Sequence, residues 1–149
     1  MKSRLKKVVL MAGALLPLVA VARSVPASSG RPEFWSDGTC FRVAYSTIIN
    51  DCSTRKSFEI PLSIDSSGDK TVVVAAQVTT TSGLVGCAAV GMNREFTQVY
   101  GGTRKWIGPP INTTQLITLT DAHVPSRGYL YVSCHLDNGG RVNSVDYNP

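Results

Sequence analysis

The residues able to do chemistry are few and scattered. There are two histidines, His123 in Asp121-Ala122-His123-Val124-Pro125 and His135 in Ser133-Cys134-His135. Asp121 and His123 could supply two members of a nucleophilic triad, a hydrolase reading that leaves the serine unnamed, since no G-x-S-x-G or S-x-x-K pattern is present. Glu59 and Glu95 are the glutamates nearest candidate strands. A glycosidase needs two carboxyls at a set separation, and Glu59, alternating with Phe58 and Ile60, reads as an ordinary solvent-facing strand position. Asp65-Ser66-Ser67-Gly68-Asp69 echoes a calcium loop but lacks its alternating ligands and closing glutamate, so it reads as a turn. Four cysteines, Cys40, Cys52, Cys87 and Cys134, have 11, 34 and 46 residues between them. Zinc ligands come in close pairs, which these spacings do not supply. No metal and no cofactor is expected.

Aromatic residues in Gly/Pro-rich segments carry a different possibility. Trp35 lies in Phe34-Trp35-Ser36-Asp37-Gly38, Tyr100 precedes Gly101-Gly102, and Trp106 precedes Ile107-Gly108. Exposed on loops, such rings can stack on sugars or anchor a protein partner. Trp35, Tyr100 and Trp106 are therefore the expected binding residues. Tyr129 and Tyr131, on the polar side of their strand, form a second patch. Asn112-Thr113-Thr114 is a sequon only in a host that glycosylates asparagine.

The chain opens with Lys2, Arg4, Lys6 and Lys7, continues from Val8 to Ala22 without a charge, and reaches Ala20-Val21-Ala22. A basic start, a short apolar run and a small-x-small site predict a signal peptide over 1–22, with export to the periplasm, cell surface or medium. The run is too short for a membrane span. Those four cations belong to the 15 basic residues of the chain; without them 11 face 10 acidic residues, a net charge of +1. No strong basic cluster is left, so nucleic acid is not an expected partner. Residues 23–34, RSVPASSGRPEF, are expected as a flexible leader, and 35–149 as one domain.

What must hold these residues is an all-β domain. Period-2 runs of Val, Ile, Thr and Tyr recur between turn clusters, and no helical period is sustained. About eight short antiparallel strands predict a single β-sandwich, jelly-roll-like or immunoglobulin-like. Asp137-Asn138-Gly139-Gly140 is expected to close a hairpin. In the strand ending at Leu136, Leu130, Val132, Cys134 and Leu136 share one face. Val85, Cys87 and Ala89 share a face of an earlier strand. These faces favour a buried Cys87–Cys134 disulfide and a peripheral Cys40–Cys52 one, as an even cysteine count in an exported chain suggests. A disulfide crossing the sandwich invites comparison with immunoglobulin domains, but Val132 occupies the corner-tyrosine position. Val142 is out of phase with Val145 and Tyr147, which suggests a bulge. The expected function is non-enzymatic binding of a glycan or protein, with the Asp121/His123 hydrolase and a structural envelope or matrix component as alternatives.

Overall fold

The structure, a computed structural model, describes residues 22–148. The expected signal peptide, apart from Ala22, lies outside the described residues. Twelve strands among them form two six-stranded sheets. The first sheet holds β3 (Phe41–Ala44), β4 (Thr47–Asn50), β6 (Gly68–Val78), β10 (Gln115–Val124) and β12 (Gly140–Tyr147) in the order β10-β6-β12-β4-β3, with β1 (Arg23–Pro26) also on β12. The second holds β2 (Arg31–Pro32), β5 (Lys56–Leu62), β7 (Val85–Met92), β8 (Val99–Gly101) and β11 (Tyr129–Leu136) in the order β2-β5-β11-β7-β8, with β9 (Lys105–Ile107) also on β7. Two sheets packed face to face make the sandwich.

Alternation builds the core. Phe58, Ile60 and Leu62 of β5 and Leu130, Val132, Cys134 and Leu136 of β11 point inward, against Val72, Val74, Ala76 and Val78 of β6. Each such aliphatic side chain contributes roughly 1.5–3 kcal/mol by leaving water. Bulges repair the phase where the pattern slips: one between Leu119 and Ala122 of β10, and one between Val142 and Ser144 of β12, where the sequence pattern places it. Each long strand then departs for the opposite sheet, β5 to β6 to β7 and β10 to β11 to β12, a jelly-roll-like path.

That path corrects the expected Asp137–Gly140 hairpin. β11 and β12 lie in different sheets, so the turn is an arch between layers. Its Gly139 still takes positive φ (73°), because a tight turn needs that backbone whichever strand follows it. The two-residue hairpin is instead Tyr45-Ser46, with both φ positive, between β3 and β4. Both cysteine pairs form as expected, Cys40–Cys52 and Cys87–Cys134. The second does not cross the sandwich. Cys87 and Cys134 are register partners on adjacent strands, Cα atoms 4.1 Å apart, and both are fully buried.

Residues 23–34, expected as a flexible leader, are built into both sheets. β1 pairs with β12 over four residues, Ala27 is fully buried, and Arg31 and Pro32 pair with Glu59 and Phe58. The composition misled because it is Ser/Pro-rich. Gly30 shows why a glycine is needed here: a Cβ would stand 2.3 Å from the Glu59 carbonyl oxygen and 2.5 Å from the Phe58 ring.

Candidate functional site

The outward face of the second sheet gathers most of the chain's polar-aromatic chemistry. Register places Arg31, Glu59, Ser133 and Ala88 in one row across β2, β5, β11 and β7. Ser57, His135, Gly86 and Trp106 form the row at one end, and Tyr131 with Pro61 and Tyr129 with Met92 lie towards the other. Gly86 and Met92 are six residues apart on β7, so the two ends are about 20 Å apart.

At the Tyr129 end the face sinks into a groove of about 490 Å³, within the range that holds small ligands. Its floor is Glu59, Pro61 and Leu62 of β5 and Tyr129 to Tyr131 of β11. Met92 and Phe96 make one wall, Ser29 and Arg31 the other. Phe96 stacks on Tyr129, centroids 5.1 Å apart and planes 16° from parallel. Its backbone sits at φ 57°, unusual for a bulky side chain. Asn93 holds the loop there: its Oδ1 accepts from the Thr97 and Gln98 N–H groups, and its Nδ2 donates to Glu95 and Thr97. The opposite wall is polar, with Arg31 Nε 3.8 Å from Glu59 Oε2. Burial raises the Tyr131 hydroxyl above its usual pKa, and the nearby Glu59 and Glu33 carboxylates raise it further.

The Trp106 end is closed. A Cβ on Gly86 would fall 2.4 Å from the Trp106 ring, so the indole lies directly on that glycine. The Arg55 guanidinium carbon stands over the ring at 4.7 Å, and Arg55 is anchored by two hydrogen bonds to Asp137. His135 meets the indole edge-on at 6.2 Å. Burial, then Arg104 and Arg55, hold the His135 imidazole below its ordinary pKa. Arg104 donates to the carbonyls of Gly86 and Ser133 and to the Ser133 hydroxyl, strapping β7 to β11.

The three aromatics picked out by sequence are not brought together. Trp106 lies on the outer face opposite Gly86. Tyr100 pairs with Gly91, five residues along β7 and hence on the inner side, where its ring meets His123 of the first sheet edge-on at 5.7 Å. Trp35 is 93% exposed on the turn Trp35–Cys40, whose Asp37 is bonded to Lys56. The second patch fared better: Tyr129 and Tyr131 are both in the groove. Phe96, Met92 and Arg31 were missed. Met92 lies on the face of β7 away from Cys87, as alternation requires, but nothing local announces that Phe96 folds onto Tyr129.

Asp121 and His123 are not a pair either. His123 Nδ1 is 2.7 Å from Asp69 Oδ1, its register partner on β6, since directly opposed strand residues are closer than i, i+2 neighbours. The Asp121 carboxylate accepts the Thr103 N–H. Burial pushes that carboxyl up, and hydrogen bonds from Thr103 outweigh it, leaving its pKa lowered. Asp65 of the turn is bonded to Arg23 and Asp69 to His123. No helix among the described residues is long and apolar enough to cross a membrane.

No known family model matches the sequence. No curated protein matches it. Among solved structures, the chain is similar to the C-terminal CBM6 of LamC, a marine laminarinase from Zobellia galactanivorans, at 13% identity over 87% of this chain and 100% of that one, TM-score 0.48. It is similar to the carbohydrate-binding module CBM6cm-2 of Cellvibrio mixtus lichenase 5A, in complex with cellotriose, at 12% identity over 85% and 96%, TM-score 0.43. A CBM4 structure matches at 10% identity over 85% and 82%, TM-score 0.41. Likeness at these scores assigns neither a family nor a ligand to this chain.

Proposed function

We propose that the chain is an exported, non-enzymatic binding module, and that a glycan lies in the groove between Tyr129 and Glu59. One observation carries the reading: a concave site on an ordered sheet sets stacked aromatic rings opposite a polar wall of Arg31 and Glu59. A sugar ring needs both, an apolar C–H face to lie on an aromatic and a rim of hydroxyls to hydrogen-bond. Export fits the two disulfides, which persist in oxidising compartments, and β1 begins at Arg23, the residue after the expected cleavage site.

The test is retention of the oxidised Arg23–Pro149 protein on a panel of insoluble polysaccharides, beside Tyr129→Ala and Trp106→Ala. Retention on at least one matrix, lost in Tyr129→Ala and kept in Trp106→Ala, is the expected result. Retention lost in Trp106→Ala alone contradicts the site, and retention on none contradicts the function.

A further inference from the structure

The geometry points to Glu59 as the residue that sets which glycans the groove accepts: it takes hydroxyl donors from uncharged sugars and turns acidic ones away. The inference rests on the glycan reading above and adds the charge class of the ligand.

Glu59 is poorly served by its own protein. Its side chain is only 26% exposed, yet among the described residues no donor lies within hydrogen-bond distance of the carboxylate. The nearest cation is Arg31 Nε at 3.8 Å, on a side chain 80% exposed. The ion pairs elsewhere on the surface are tighter, 2.6 Å for Arg23–Asp65 and 2.7 Å for Arg42–Asp51, Arg55–Asp137 and Lys56–Asp37. A carboxylate half-withdrawn from water costs free energy until donors reach it. Adjacent hydroxyls of a pyranose, two donors on neighbouring carbons, suit its two oxygens, while Arg31 is free to donate to a third sugar oxygen. With the ring over Tyr129, those hydroxyls project across the groove towards β5.

The surrounding charge favours neutral ligands. Glu33 follows β2, its N–H donating to the Ser57 carbonyl, so it stands beyond Glu59 on the Trp106 side and leaves Glu59 as the carboxylate of the groove lining. Both carboxylates act on Tyr131, raising its hydroxyl pKa after burial has done so. The other cations of this face are engaged elsewhere, Arg104 with Gly86 and Ser133 and Arg55 with Asp137. A sugar carboxylate or sulfate would therefore enter beside the Glu59 carboxylate, with the exposed Arg31 as the one cation of the lining, and like charges at close range are costly in a partly dry site.

Calorimetric titration checks this. The probes are neutral hexaoses (cello-, laminari-, xylo- and manno-oligosaccharides) and acidic ones (oligogalacturonate and alginate hexamers). The wild type is expected to bind at least one neutral hexaose tenfold or more tightly than either acidic one. Glu59→Gln, isosteric and uncharged, is expected to narrow that ratio to threefold or less, mainly by gaining acidic binding. Glu59→Ala should weaken neutral binding about tenfold while its circular dichroism and melting midpoint stay close to wild type. Wild-type preference for an acidic hexaose, or a ratio unchanged in Glu59→Gln, overturns the role of Glu59 while leaving glycan binding standing. Binding of neither class overturns the glycan reading itself.

Discussion

Tyr129 and Trp106 sit on the same face of the same sheet and are nearly equally exposed, 48% and 41%, yet they offer a ligand different things. Trp106 rests on Gly86 with Arg55 over it, and Arg55 is locked to Asp137. Tyr129 rests on nothing so confining: Phe96 stacks beside it over an open groove. Fractional exposure counts area; it does not say whether a ring face is free. In this sandwich the tryptophan is a fastening and the tyrosine is a platform.

Removing what the two regions share should give the largest effect. Cys87 and Cys134 join β7 to β11, the strands under both. Replacing both with alanine is expected to cost about 2–5 kcal/mol in urea unfolding and to weaken both ends. A loss below about 1 kcal/mol would show that the strand pairing holds the face without the bond.

Two glycines separate the regions next. Gly86→Ala drives a methyl into the Trp106 ring and is expected to cost about 1–3 kcal/mol with glycan retention unchanged. Gly30→Ala collides with the Glu59 carbonyl, at a similar cost, and should also abolish retention because it displaces the Arg31 wall. Equal effects on retention would erase the distinction. Tyr129→Ala should then weaken binding at least tenfold, about 1.4 kcal/mol, with little change in stability.

The smallest effect is one of pH. The folded pKa of His135 is lowered from its ordinary 6.5 by burial and by Arg104 and Arg55. The unfolded chain therefore takes up a proton first, so stability falls as pH drops below about 6.5 and levels off once the folded imidazole has titrated. His135→Gln should flatten the pH dependence of unfolding in that window. An unchanged slope would mean that neither burial nor the arginines lower the His135 pKa in the folded chain.

Much of the scaffold was legible because strand alternation is a local signal. The face shared by Leu130, Val132, Cys134 and Leu136 reveals the core side of β11 and one disulfide partner, and the slipped phase at Val142 reveals the bulge. What was hidden depends on contacts between distant residues. Turn chemistry at Asp137–Gly140 is the same for a hairpin and for an arch between sheets. Residues 23–34 look like a linker because their order comes from β12 and β5. Nothing near Trp106 says that Arg55, 51 positions earlier, covers it, and nothing near Phe96 says that it lies on Tyr129. The pair Tyr129 and Tyr131 was visible as a patch, but its walls were not.

The most direct test of the groove is an amide and indole chemical-shift titration of the oxidised Arg23–Pro149 protein with an oligosaccharide of whichever matrix retains it. Shifts centred on Arg31, Glu59, Met92, Phe96, Tyr129 and Tyr131, with the Trp106 indole N–H unmoved, are the result expected. A Trp106 indole that shifts while Tyr129 and Phe96 stay still would contradict it and place the ligand at the other end of the sheet.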